Sequence, residues 1–176
     1  FISLQVGPDG QMVLIDWYDR NQCHHGDDAK HDRGNGRIFK VVYDRAAPTA
    51  VRVNLATESD ARLVELLGHD NDWFVRHARR LLQERAAAGR LATDTPRLLD
   101  AQLAAAATPA KKLRAIWGLH VTGTLSPDRI LRLLDDPDPA VRGWAIQLTA
   151  ESRDVKPDLL DRFRRLASGD PSPVVR

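Results

Sequence analysis

The residues best suited to chemistry lie in one segment, Asp16 to Asp44, which holds three of the chain's six histidines, its only cysteine and six aspartates. Cys23, His24, His25, Asp27, Asp28, His31 and Asp32 place soft, borderline and hard ligands side by side. Histidine and cysteine suit zinc or a related transition ion, whereas calcium needs several oxygens, which the acids supply. The candidate metal ligands are accordingly His24, His25, His31, Asp27 and Asp28. Two facts weigh against a built site: the spacing fits no standard zinc rule, and adjacent histidines on an extended chain point in opposite directions. A substrate-facing base is a second reading of the same loop. A polar loop whose aspartates and asparagines satisfy turn backbone is the third, and it needs the fewest assumptions. Asp16, at the end of a strand, fits capping of that loop's backbone better than cation binding.

The elements around this loop alternate with period two. Ile2, Leu4 and Val6 are apolar with Ser3 and Gln5 between them, so a strand is expected from the first residues and the chain reads as a piece of a larger protein. Gly7-Pro8-Asp9-Gly10 is a tight-turn sequence, and a second strand is expected over Met12 to Tyr18. A third, Arg37 to Tyr43, carries Phe39, Val41 and Tyr43 on one face and Ile38 and Val42 on the other. Short strands that are apolar on both faces must be covered on both. A propeller blade between its neighbours meets that demand, and so does a central sheet between helices.

From about Thr57 the period becomes helical. Amphipathic runs are expected at Ala61–Leu67, Phe74–Leu82, Leu98–Ala107, Leu113–Val121, Ile130–Leu134, Val141–Leu148 and Leu159–Leu166. Thr95-Pro96, Thr108-Pro109, Ser126-Pro127, Asp138-Pro139 and Ser172-Pro173 each set a capping side chain before a proline, the arrangement that starts a helix at no cost in hydrogen bonds. Gly68, Gly89, Gly123 and Gly169 are the expected stops. Gly118 and Gly143, inside helical runs, are expected to let neighbouring helices approach closely. Trp73, Trp117 and Trp144 suit filling space between helices, and His69, His77 and His120 suit surface or hydrogen-bonded turn positions.

The helical runs also align with one another. Asp70 with Val75 and Arg76, Asp136 with Val141 and Arg142, and Asp170 with Val175 and Arg176 keep one register, with offsets of 66 and 34 residues between copies. The longer offset leaves room for one degenerate copy, for which Leu113-Arg114 after Thr108-Pro109 is the candidate. A two-helix unit of roughly 33 to 40 residues cannot bury its apolar face alone, so copies stack in series. Valine would face the stack, while Arg and Asp would pair across neighbours as surface links worth ~0 to 1 kcal/mol each.

Composition narrows the classes further. An apolar share of 43% and a charged share of 28% are those of a folded domain, which excludes a disordered or fibrous chain. The formal charge is only +2, and runs such as Arg76 to Arg80 and Arg162 to Arg165 are broken by apolar residues at helical spacing. They read as solvated faces, not as a nucleic-acid stripe. No stretch approaches the ~18 apolar residues of a transmembrane segment. One cysteine excludes an internal disulfide and any Cys-x-x-Cys site among these residues.

Two resemblances follow from these residues. The Asp-x-x-x-x-Val-Arg register, with proline in the turn between helices, resembles HEAT repeats over roughly residues 57 to 176. The segment "GPDG", "DWYD", "CHH" and "NGRIFKVVY", running directly into those helices, is similar to the PVC-type membrane-bound dehydrogenases of planctomycetes, also called haem-binding proteins. That resemblance implies a mixed fold: a short antiparallel β segment of about three strands over 1–48, the last blade of a β-propeller, followed over 49–176 by an all-α HEAT-like solenoid. It also implies a periplasmic or extracytoplasmic parent that uses a quinone cofactor on a sugar or alcohol and passes electrons to c-type haem. Cys23-His24 lacks the second thiol of a Cys-x-x-Cys-His motif, so no haem is expected on this segment itself. Its expected role is a scaffold joining propeller to electron-transfer domain, with neighbouring domains or a protein partner bound and no complete active site. The rival reading is an interaction module of HEAT repeats without catalysis.

Overall fold

The computed structural model describes residues 3–16, 26, 27, 29, 34, 36–43 and 51–176. Among them are a three-stranded antiparallel sheet and seven α-helices, a mixed and mostly helical chain. Contacts divide it into two compact units, Phe1–Asn54 with Asp70–Phe74, and Leu55–His69 with Val75–Arg176. The boundary expected between 48 and 49 lies outside the described residues.

In the first unit, strands β1 (Ser3–Val6), β2 (Met12–Asp16) and β3 (Arg37–Val41) lie in the order β1-β2-β3. The expected turn joins β1 to β2. The Gly10 N–H donates to the Gly7 carbonyl at 3.0 Å and the Gly7 N–H to the Gln11 carbonyl at 2.8 Å. Gly10 has φ +77°, a left-handed value that a side chain would strain. Asp9 closes the turn by accepting from the Gln11 N–H at 3.1 Å while pairing with Lys40 of β3.

Register decides what each face carries. Leu4 opposes Leu14 and Val6 opposes Met12, and across the other edge Leu14 opposes Phe39 and Met12 opposes Val41. Six apolar side chains therefore share one face. Val13, Ile15 and Ile38 share the other, where Trp73 and Pro8 line a cleft of about 320 Å³ with Val13 and Ile15. Asn71 ties the turn to this side through its Nδ2, which donates to the Gly7 carbonyl at 2.9 Å. No strand residue is buried, and Leu4, Val41 and Ile38 are 62%, 52% and 78% exposed. The strands pair as expected, and their apolar faces are open.

In the second unit every expected helical run forms a helix. A single 3-10 turn, Leu55–Thr57, leads into α1 (Asp60–Leu66). Then follow α2 (Asp72–Ala87), whose first turn belongs to the other unit, α3 (Thr95–Ala104), α4 (Pro109–Val121), α5 (Pro127–Leu133), α6 (Pro139–Ala150) and α7 (Pro157–Gly169). Three of the five cap-proline pairs act as read. Thr108 accepts from the Lys111 N–H at 3.3 Å, Ser126 from the Arg129 N–H at 3.4 Å, and Asp138 from the Ala140 N–H at 2.8 Å.

The other two pairs differ for local reasons. Thr95 is already helical, with Asp94 before it, because its hydroxyl is drawn to Asp60 instead of to its own backbone. Ser172-Pro173 makes a turn, in which Ser172 Oγ accepts from the Val174 N–H at 3.3 Å. Gly89 and Gly123 stop α2 and α4 in left-handed geometry, φ +63° and +71°. The N–H after each reaches back five residues, Arg90 to the Arg85 carbonyl and Thr124 to the Leu119 carbonyl, both at 2.8 Å. Gly169 instead ends α7 as its last helical residue.

Packing joins α1 to α3, α3 to α4, α4 to α6 and α5 to α6. The valine of each aligned copy, Val75, Val141 and Val175, is buried as its register demands. Leu67, Leu99, Ile116, Leu119 and Leu134 are fully enclosed, and Leu159 and Leu166 bring α7 into the same core as Ile116 and Val141. The two helical glycines part company here. A Cβ on Gly118 would sit 2.8 Å from Leu99 and 2.9 Å from Leu67, whereas on Gly143 the nearest atom is Val174 Cγ1 at 3.9 Å, ordinary contact. Close approach is required at the first and not at the second. Gly143→Ala should therefore leave stability unchanged or raise it by up to ~1 kcal/mol, the helix-propensity gain, as read from urea denaturation.

Candidate functional site

Of the expected metal ligands, His24, His25, Asp28 and His31 lie outside the described residues, as do Cys23 and Asp32. Asp27 is described and exposed, and its Oδ1 accepts from the Ala29 N–H at 3.1 Å, a turn-stabilising bond. No group of three or more His, Cys, Asp or Glu able to hold a metal occurs among the described residues. Asp16 pairs with Arg37 at 3.5 Å, its direct cross-strand neighbour, and so serves the sheet; the loop it was expected to cap lies largely outside the described residues.

What the helical unit does build is a repeated link between a cation and an aspartate. Arg142 Nε and Nη2 donate to Asp170 Oδ2 and Oδ1 at 2.8 and 2.7 Å, a two-pronged pair in which both residues are buried. Its Nη1 donates to the Asp136 carbonyl at 2.8 Å, and Arg176 Nη1 repeats that bond to the Asp170 carbonyl at 2.7 Å. Each aspartate also holds its own turn: Asp136 Oδ1 accepts from the Asp138 N–H at 2.9 Å, and Asp170 Oδ1 from the Ser172 N–H at 2.8 Å. The Arg142 hydrogen bonds hold the Asp170 carboxyl below its ordinary range against the opposing effect of burial, with the Ser172 N–H and Arg176 adding to them.

A similar link occurs one step earlier in the chain. Asp136 Oδ2 receives Lys112 Nζ at 2.7 Å. Lys112 stands four residues after its cap Thr108, as Arg142 does after Asp138 and Arg176 after Ser172. Lys112 thus makes the link at this point of the chain, while Arg114 sends Nη1 to the His69 carbonyl at 2.9 Å. Counting from the cap would have found it; counting from the Val-Arg pair did not. These links are also more enclosed than the surface pairs expected.

The remaining candidates are structural. Trp117 meets Trp144 edge-on at 4.9 Å, with the Arg79 guanidinium 5.2 Å above Trp117, and both rings pack on the core. His120 shares a hydrogen bond with Glu151 at 2.9 Å. In the arginine run near the end, Arg162 pairs with Asp135 and Arg164 with Asp161, which is how a solvated face behaves.

One polar cleft, of about 510 Å³, opens between α3, α4 and α5. Its walls hold the Lys112–Asp136 pair and an Arg129–Asp100 pair, in which Arg129 Nε donates at 2.7 Å while its Nη1 is held by the Thr124 carbonyl at 2.7 Å. Leu103, Ala104 and Leu133 supply apolar lining, and Arg132 stands exposed beside them. Such a surface can bind and orient a partner group. Compared with protein-family models, with curated proteins and with solved structures, the chain finds no match.

Proposed function

We propose that this chain is a scaffold: a β element made to be enclosed by further structure, followed by a HEAT-like series of helix pairs that presents a surface to neighbouring domains or a protein partner. The observation that carries the helical half is the repetition of one link, Lys112 to Asp136 and then Arg142 to Asp170, two successive cation-to-aspartate ties along the chain. Contacts of α1 with α3 and of α4 with α6, each helix with the next but one, support a serial arrangement. The six-residue apolar face of the sheet supports enclosure, because an apolar patch of that kind marks an interaction surface.

The parent we infer is a propeller-type redox protein of the PVC-type dehydrogenase kind, with quinone and c-type haem held elsewhere and an extracytoplasmic location. Its support is the sequence resemblance, together with a "GPDG" turn that joins two strands of a three-stranded antiparallel sheet. The test uses the protein as its gene encodes it. Reduced-minus-oxidised spectra should show c-type haem bands, and a sugar or alcohol should reduce an added dye acceptor. A haem-free product without dye reduction would sink the redox parent and leave a HEAT-like interaction module.

A further inference from the structure

The cleft between α3, α4 and α5 has an uneven charge count that points to a ligand. Its two carboxylates are both taken: Asp100 by Arg129, and Asp136 by Lys112 and the Asp138 N–H. Arg129 is spent as well, with Nε and Nη2 on Asp100 and Nη1 on the Thr124 carbonyl. Arg132 remains. Among the described residues its guanidinium has no carboxylate partner, and it lines the cleft beside Leu103 and Leu133. Three cations against two acids leave one positive charge next to apolar lining.

We propose that this cleft binds an acidic side chain of a protein partner, flanked in that partner by an apolar residue. Arg132 takes the carboxylate through two N–H groups, the geometry in which a guanidinium fork fits a carboxylate. Lys112 adds a second contact, since an ammonium bound to one Asp136 oxygen keeps further N–H groups to donate. The neighbouring apolar side chain of the partner settles on Leu103 and Leu133. A phosphate chain fits poorly, because Asp100 and Asp136 line the same walls and repel each further negative charge. The inference rests on the scaffold reading of the helical unit and gives its partner a chemistry.

The test titrates the full chain with a blocked pentapeptide of alternating leucine and glutamate, with the same peptide carrying glutamine for glutamate, and with inorganic phosphate, followed by amide NMR shifts. The glutamate peptide should move the amides of Arg132, Leu133 and Lys112, and Arg132→Gln should weaken it about tenfold, the loss expected for one charge-assisted pair. Arg132→Lys should recover part of that loss. Equal binding of the glutamate and glutamine peptides, an unchanged affinity in Arg132→Gln, or phosphate binding more tightly than the peptide would overturn the proposal. If the peptide is ignored while α1 to α6 keep their amides protected from exchange, the cleft inference falls and the scaffold reading stands. If those helices are themselves unprotected, both fall.

Discussion

Replacing Asp60 by alanine should destabilise the chain by about 3 kcal/mol or more, in the range for removing one member of a buried ionic hydrogen-bond cluster. Asp60 is the first residue of α1 and is almost wholly enclosed, 6% exposed. Its Oδ2 accepts from the Ala92 N–H at 2.7 Å and the Thr95 hydroxyl at 3.1 Å, and its Oδ1 from Arg85. Arg85 in turn holds the Ala56 and Glu58 carbonyls at 3.0 and 2.8 Å. One carboxylate thus ties the turn before α1, the end of α2 and the start of α3. Alanine would leave an enclosed hydroxyl, an amide and a guanidinium without their acceptor, and leaving a buried donor unmatched costs its full desolvation. Asp60→Asn keeps one oxygen acceptor and should lose roughly half as much, since its amide donors face other donors.

The pH dependence of this contribution has a definite sign. Burial pushes the Asp60 carboxyl upward, but the Ala92 N–H, Arg85 and Thr95 more than offset it, and the folded carboxyl titrates below the ordinary value of 3.8. The folded chain therefore binds this proton less readily than the unfolded chain. The stabilisation is present above the unfolded value and drains away as pH falls through the lower folded one. Asp170, held low chiefly by Arg142, has the same sign, as does half-buried Asp9, held low chiefly by Lys40. Urea unfolding from about pH 6 to about pH 2 should show stability falling on the acid side, and Asp60→Asn should flatten that limb.

The second large effect is expected at Gly118. Its helix, α4, lies so near α1 and α3 that an added Cβ would meet Leu99 Cδ2 at 2.8 Å and Leu67 Cδ1 at 2.9 Å. Both leucines are fully enclosed, so neither tip has open space to move into. Gly118→Ala sets a helix-propensity gain of ~1 kcal/mol against overpacking of ~1 to 3 kcal/mol, a net loss of roughly 1 kcal/mol. Gly118→Val adds two methyl groups to the same wedge and should cost about 3 kcal/mol. Shortening the obstruction provides the check: Leu99→Val in the Gly118→Ala background should be less damaging than in the parent, a coupling that a double-mutant cycle reads directly.

These particulars show which features were legible. All seven helices announced themselves because apolar spacing and turn residues agreed at each, and such agreement is a local property of the chain. Gly118 and Gly143 looked alike in sequence; only the neighbours across the helix interface, Leu67 and Leu99 against Val174, separate them. Asp60 carries no sequence signal of its role, because its partners Arg85, Ala92 and Thr95 lie 25 to 35 residues away. Lys112 was hidden because, counted from its cap, Ala106, Lys111 and Lys112 stand where the other copies have Asp, Val and Arg, so only the charge of the last position survives. The strands were legible as strands, because their alternation is local. The histidine-rich loop lies largely outside the described residues.

The most direct test of the scaffold reading is native-state hydrogen exchange on the 176-residue chain. Strands without a fully buried residue should open cheaply, so the paired amides of β1, β2 and β3 are expected to exchange through events costing far less than global unfolding. Amides of α4 and α6, around Ile116, Leu119, Val141 and Ala145, should exchange only when the whole unit unfolds. Strand amides protected as strongly as those of α4 and α6 would contradict the account, because the sheet would then be a self-sufficient element with no need of an enclosing partner.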